Sequence, residues 1–267
     1  MFERLQDNPI NMRALLLVPL VAAGCASISN VQTADTLGRG NFQVGIEPGA
    51  WGAAGVGGAA FIPHLDGSVR FGVSDGVDLG VRAGFSFLEL QGKFLFTRPG
   101  APNLAVSFAP TVGGILAGGG GASAGLLNIG LPVLVGIKFA RGHELVIGPR
   151  LQNLLLFGST TTAGAVYGLG VGSSVGFAWR ITENFGLMPE VAAVYPVAGA
   201  AAFGSQSGAG GFNAGGVLVQ FKVGLLLGKF RALDGAAPQG RVPSTVPVAN
   251  PPLQGDDMTP PPPPPPQ

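Results

Sequence analysis

Between Asn41 and Gly228 the chain alternates apolar and polar residues in one run after another, and this period of two constrains the fold more than any other feature. Val77, Leu79, Val81, Ala83, Phe85 and Phe87 share one parity, against Asp78, Gly80, Arg82, Gly84 and Ser86 on the other. Leu104, Val106, Phe108, Pro110 and Val112 oppose Ala105, Ser107, Ala109 and Thr111. The pattern recurs over residues 42–47, 69–73, 88–97, 127–139, 145–151, 167–181, 185–197 and 217–227. Successive side chains on a strand point to opposite faces, so each run reads as a strand with one greasy face. Many of these runs far exceed the roughly 5 or 6 residues usual in soluble strands. They are long enough for a tilted membrane-crossing strand, which needs about 9 to 11.

The charges obey the same parity. Glu47, Asp66, Asp78, Glu89, Glu144 and Glu190 fall on the face opposite the grease, and so do Arg70, Arg82, Lys93, Lys138, Arg150 and Lys222. Six acids and six bases on one side leave the other side free for lipid, where a charge at mid-depth costs about 2–4 kcal/mol. The connections also alternate. Residues 74–76, 98–102, 140–143 and 180–184 are short and carry charge, whereas 50–60, 117–125, 158–164 and 198–211 are longer, uncharged and rich in Gly, Ala, Ser and Thr. Short turns on one rim and long loops on the other are the pattern of outer-membrane-type barrels. On these residues the chain resembles the bacterial outer-membrane β-barrels. The resemblance implies an all-β, antiparallel up-and-down transmembrane β-barrel over 41–228, of about ten strands with both ends at the short-turn rim. Eight or twelve strands stay open, because parity changes at Phe87-Leu88 with no turn residue to explain it.

Two rival folds are weaker. Residues 99–137, 151–179 and 191–221 carry no charge and could be read as helical spans, but the chain has 46 Gly in 267 residues, each costing up to about 1 kcal/mol in a helix relative to Ala. A soluble sandwich needs charged outer faces, and only 11% of this chain is charged against about 25% in ordinary domains. The net charge of +1 provides no electrostatic footprint for nucleic acid.

Ahead of the barrel, Met12-Arg13 precedes an apolar run, 14–21, and then Ala22-Ala23-Gly24-Cys25. A short positive stretch, a short apolar run and small residues before a cut form a secretory signal, too short for a membrane helix. Val21-Ala22-Ala23-Gly24-Cys25 resembles the lipobox of bacterial lipoproteins, although Ala22 stands where Leu is commonest. The resemblance implies cleavage before Cys25 and acylation of that residue, and the absence of Asp after it resembles lipoproteins sorted to the outer membrane. The expected division is a signal over 1–24 with translation from Met12, a lipidated linker over 25–40, the barrel over 41–228, and a tail over 229–267. Twelve of the 23 prolines lie in that tail, which cannot bury a core and should be extended and disordered on the periplasmic side. It reads as a spacer, with a polyproline-binding partner as the alternative.

Catalytic chemistry is scarce. The chain has two histidines: His143 in a short turn beside Glu144, and His64 near the far end of the second strand, close to Asp66. No serine is tied to His64 by spacing. The Gly runs at 118–121 and 168–172 lack the Lys-Ser/Thr of a phosphate loop, and no cofactor or metal site is expected. The first functional expectation is a lipid-anchored outer-membrane barrel with a structural or interaction role, its partners being membrane lipid and whatever binds the tail. A narrow pore or carrier of small hydrophobic molecules is the alternative, and a lipid-modifying enzyme the third.

Overall fold

A computed structural model describes residues 27–55, 58–84, 87–119, 122–159, 164–203, 206–210 and 216–231. Cys25 and the tail beyond Arg231 lie outside the described residues. The elements are β1 (Phe42–Gly55), β2 (Gly58–Ser74), β3 (Val77–Ala83), β4 (Leu88–Leu95), β5 (Leu104–Phe108), β6 (Thr111–Gly119), β7 (Ala122–Lys138), β8 (Glu144–Ser159), β9 (Gly164–Arg180), β10 (Phe185–Phe203), β11 (Gln206–Gly210) and β12 (Val217–Gly228). Every pairing is antiparallel, and β12 pairs with both β10 and β1, which closes the ring. β5 and β6 are two halves of one stave, since each pairs with both β4 and β7. The break falls at Pro110, which has no N–H to offer a ladder. Its carbonyl still accepts from Gly92 N at 2.9 Å, and Ala109 N donates to Pro132 O at 3.0 Å. β11 folds back only on the far end of β10. Ten staves therefore make the wall.

Polarity runs inside out. Leu65, Val69, Leu79, Leu90, Val175, Val191 and Phe221 stand exposed on the outer surface at mid-wall. Phe42, Phe71, Phe96, Phe139, Phe177 and Trp179 ring the short-turn end, and Phe61, Phe157, Tyr167 and Tyr195 stand toward the other. On β9, Trp179 to Tyr167 spans roughly 30 Å of membrane normal at a strand tilt of about 40°. Soluble proteins rarely expose apolar patches beyond a few hundred Å²; a continuous belt between aromatic girdles is the surface of a barrel in lipid. Val175 faces outward between Ile147 of β8 and Val191 of β10, all three exposed. Val175→Arg should accordingly lower unfolding stability in lipid by about 2–4 kcal/mol, read from the urea midpoint.

Three expectations need correction. The stave read as running through Phe85 to Phe87 stops at Ala83, and Gly84 N donates to Phe87 O at 3.0 Å. The parity change thus falls between Gly84 and Phe87, and the Phe87 ring lies where a Cβ on Gly84 would sit. Three of the four uncharged stretches read as loops are largely paired strand: β1 and β2 stay in register to Gly55↔Gly58, β6 and β7 to Gly119↔Ala122, and β10 and β11 to Phe203↔Gln206, whereas β8 and β9 pair as far as the bounds of the fourth, Gly158↔Gly164. Gly, Ala, Ser and Thr carry too little hydropathy contrast to show a period, yet their backbones pair as well as any. The third correction concerns residues 25–40: 27–37 is no linker outside the wall but buried inside the barrel, every residue from Ser27 to Leu37 except Thr33 being buried.

Candidate functional site

The lumen is built from the inward parity of the staves and then filled by the chain's own N-terminal segment. All twelve ionisable residues assigned to the inner face point inward. Eleven are at most 4% exposed as whole residues, and the Lys138 side chain is 3% exposed. Some pair across the wall. Arg82 Nε lies 3.1 Å from Glu47 Oε2, and its NH1 lies 3.1 Å from Glu89 Oε1. Lys93 Nζ lies 3.1 Å from Asp78 Oδ2. Lys222 Nζ sits between Glu47 Oε2 at 3.1 Å and Asp66 Oδ2 at 2.5 Å.

Much of their remaining bonding capacity goes to the segment 27–37, chiefly to its backbone. Glu190 accepts from the N–H groups of both Asn30 and Val31, each at 2.7 Å. Glu144 accepts from Ala34 N at 2.7 Å, Asp78 from Leu37 N at 3.1 Å, and Gln220 Oε1 from Ile28 N at 2.9 Å. From the cationic side, Arg82 donates to the carbonyls of Ser29 and Asn30 at 2.8 and 2.6 Å, and Arg70 to Val31 O at 3.2 Å. Lys93 donates to Thr33 O and Asp35 O at 3.0 and 2.8 Å, and Arg150 to Ile28 O. Lys138 pairs with the Asp35 carboxylate, and Lys222 donates to Ser27 Oγ at 3.0 Å. Only Glu47, Asp66 and Glu89 of the twelve make no such bond to the segment. A peptide strung across a low-dielectric interior needs every N–H and C=O paired. Here carboxylates serve the donors and guanidinium or ammonium groups the acceptors, and such charge-assisted bonds are the strong kind.

Packing supplies the remaining fit. Ile28, Val31, Ala34 and Leu37 recur every third residue. Ile28 packs with Trp51, Ala192, Val194 and Leu218. Val31 and Ala34 pack with Ala105, Ala109, Leu134, Val146, Ala178, Met188 and Leu226. Two inward glycines leave room for them: a Cβ on Gly224 would collide with Val31 Cγ1, and one on Gly136 would come 2.8 Å from Ala34 Cβ. Val31 is held at φ +39°, a region that costs a β-branched residue of order 1–3 kcal/mol; the Glu190 carboxylate and Arg70 clamp it from either side.

The segment runs from mid-barrel to the short-turn rim. Ser27 lies at the level of Gln220 and Lys222, and Thr36 Oγ1 donates to Asp75 O at 2.5 Å in the first short turn. Gly38 and Gly40, at φ +82° and +77°, then reverse the chain into β1, a backbone that L side chains rarely adopt. Arg231 latches this exit, donating to Thr36 Oγ1 at 2.9 Å, to Asp75 O at 2.7 Å and to Asp75 Oδ1 at 2.8 Å. The first residues of the proposed tail, up to Arg231, are therefore fastened to the rim.

His64 faces the lumen, with Nε2 3.0 Å from Gln220 Nε2 and 3.7 Å from Asp66 Oδ2. His143 stays in its turn, where Nδ1 accepts from Arg180 N at 3.2 Å and the ring stands 6.2 Å from that of Phe177. Among the described residues, no group of three His, Cys, Asp or Glu side chains is placed to hold a metal ion. Sequence reasoning found the wall charges and missed their ligand. The signal lay in the three-residue spacing of Ile28, Val31, Ala34 and Leu37, and in the apolar inner residues Leu134, Val146, Met188 and Leu226, which need an apolar occupant.

No protein-family model matches the chain, and no curated protein matches it. Among solved structures it is similar to Neisserial surface protein A (NspA), with a TM-score of 0.37 and 14% identity over 71% of this chain and 97% of that one. It is also similar to the outer membrane protease OmpT from Escherichia coli, with a TM-score of 0.41 and 9% identity over 70% and 96%. For the outer membrane protein OprG from Pseudomonas aeruginosa the values are 0.35 and 11% over 74% and 100%.

Proposed function

We propose that this chain is an outer-membrane β-barrel protein whose lumen is closed by its own N-terminal segment, with a structural or interaction role in the envelope rather than that of a standing pore. The observation that carries this reading is the burial of residues 27–37 among the interspersed charged side chains of the lumen. Ten staves enclose room for side chains or one slim occupant, and the occupant is already present. The lipid-facing belt suits a bacterial outer membrane, where closed barrels of even strand number reside. Acylation at Cys25 belongs to the same proposal and rests on the lipobox-like run alone.

Planar-bilayer recording of the intact, refolded chain tests it. The expected result is insertion without ohmic steps, accompanied by faster gel migration of the unboiled than the boiled protein. Steady ion-selective steps from the intact chain would overturn closure and favour the pore reading. That second reading has one observation in its favour: the strained backbone at Val31, which makes the plug easier to release than an unstrained one.

A further inference from the structure

Toward its two ends the plug is held by side chains as well as backbone, through Ser27, Asp35 and Thr36, but in its middle the backbone carries most of the bonds. Ser29, Asn30 and Gln32 are each 1% exposed, yet Ser29 Oγ, both amide atoms of Asn30 and Gln32 Nε2 find no partner. In the same three residues and their neighbours, the N–H groups of Asn30, Val31 and Ala34 reach carboxylates at 2.7 Å. The carbonyls of Ser29, Asn30 and Val31 take guanidinium donors at 2.8, 2.6 and 3.2 Å. A lumen evolved around one particular sequence would pair those buried amides and hydroxyls, because each unpaired one weakens the complex. Along the middle of the plug this lumen instead meets N–H groups with carboxylates and carbonyls with cations, and both recognise what every peptide has.

We propose that the lumen is a binding channel for peptides that can take the bent course of this plug, reading chiefly the main chain and the size of two side chains, and that residues 27–37 are its resident occupant rather than its only one. The proposal rests on the closed-barrel reading above and goes further by naming the ligand class. The ligand is a peptide with unsubstituted N–H groups at the places of Asn30, Val31 and Ala34. Small residues are required where Gly224 and Gly136 leave space for Val31 and Ala34 alone. A proline-rich peptide is excluded, since proline has no donor for Glu190 or Glu144; a peptide with the sequence of residues 255–267 of this same chain, seven of whose thirteen residues are proline, therefore serves as a negative control.

The test uses the full chain, folded with the plug docked. A site-specific protease sequence is inserted at the exposed rim turn between Arg39 and Gly40. After cutting, a fluorescein-labelled peptide with the sequence of residues 27–37 is added in excess and its uptake followed by anisotropy. The cut barrel should bind it, and the uncut barrel should bind at least about 100-fold more weakly, because a tethered segment competes at an effective concentration near millimolar. A peptide with Ala at the places of Ser29 and Asn30 should bind within about threefold of the parent. One N-methylated at the places of Asn30, Val31 and Ala34 should lose at least about 100-fold, having lost three charge-assisted bonds. Equal binding of the N-methylated peptide, a comparable loss with the alanine peptide, or no uptake of any peptide by the cut barrel would overturn the proposal. Conductance keeps the two readings apart. A cut barrel that conducts but takes no peptide leaves closure standing and removes the peptide channel, whereas an intact barrel that conducts removes closure whatever the peptides do.

Discussion

Gly224→Leu should turn a silent barrel into a conducting one. Gly224 sits on the inner face of β12, where an added Cβ would overlap Val31 Cγ1 and lie 3.6 Å from Leu226 Cδ2. A leucine there and the valine of the plug claim the same space, so one side must yield. β12 is paired along its length to β1 on one side and β10 on the other, and moving it would break two ladders of a closed sheet. The segment 27–37 has no ladder to break and already carries strain at Val31. Overpacking ordinarily costs about 1–3 kcal/mol, and here the outlet for that cost is expulsion of the plug. The measurement is planar-bilayer recording beside limited proteolysis. The variant should show ohmic steps and expose residues 27–37 to cutting, while the intact chain shows neither. Gly67→Leu is the control, because Gly67 faces outward with nothing closer than Gly45 O at 4.0 Å; it should remain silent. A Gly224→Leu barrel that stays closed with its plug protected would mean that the wall, not the plug, is the compliant part.

The inner and outer faces were legible in the sequence for a simple reason. A stave between lipid and an enclosed interior has two environments that differ as much as any in a protein, so hydropathy alternates at full amplitude from Val77 to Ala83 or from Val217 to Gly228. Where both environments relax toward the long-loop rim, as in Ala117↔Ala124, the amplitude vanishes although the pairing continues. Turn positions failed where a glycine served two readings: Gly84 fits a strand as well as it fits the break that its bond to Phe87 O marks. The plug was illegible for a different reason. Its period is three and its residues are mostly small and polar, so neither a strand nor a helix template responds to it. What identifies it is complementarity between its backbone and charges far away in sequence, such as Glu190 and Arg82, and no local pattern contains that.

Lys222→Met should destabilise the barrel more than any single change on its outer surface. Lys222 is fully buried, and its ammonium contacts Glu47 of β1, Asp66 of β2 and Ser27 of the plug. Three layers of the structure thus meet at one charge. Methionine fills a similar volume, so the loss is electrostatic rather than a cavity. Glu47 keeps Arg82 at 3.1 Å, whereas Asp66 is left with His64, 3.7 Å away. Removing one partner of a buried ion pair typically costs about 3–5 kcal/mol, because an uncompensated charge stays behind. The expected result is an unfolding free energy lowered by that amount in lipid vesicles, obtained from urea titration followed by the gel-mobility difference between unboiled and boiled protein. The double variant Lys222→Met, Asp66→Asn should recover a large part of the loss, since it removes the stranded charge as well, and the coupling between the two sites is the quantity of interest. At the rim, Arg231→Gln breaks a pair whose Asp75 partner is 70% exposed, and it should cost no more than about 1 kcal/mol. If Lys222→Met proved as mild as Arg231→Gln, the lumen would have to admit enough water to solvate Asp66, and a barrel sealed by its N-terminal segment would not do that.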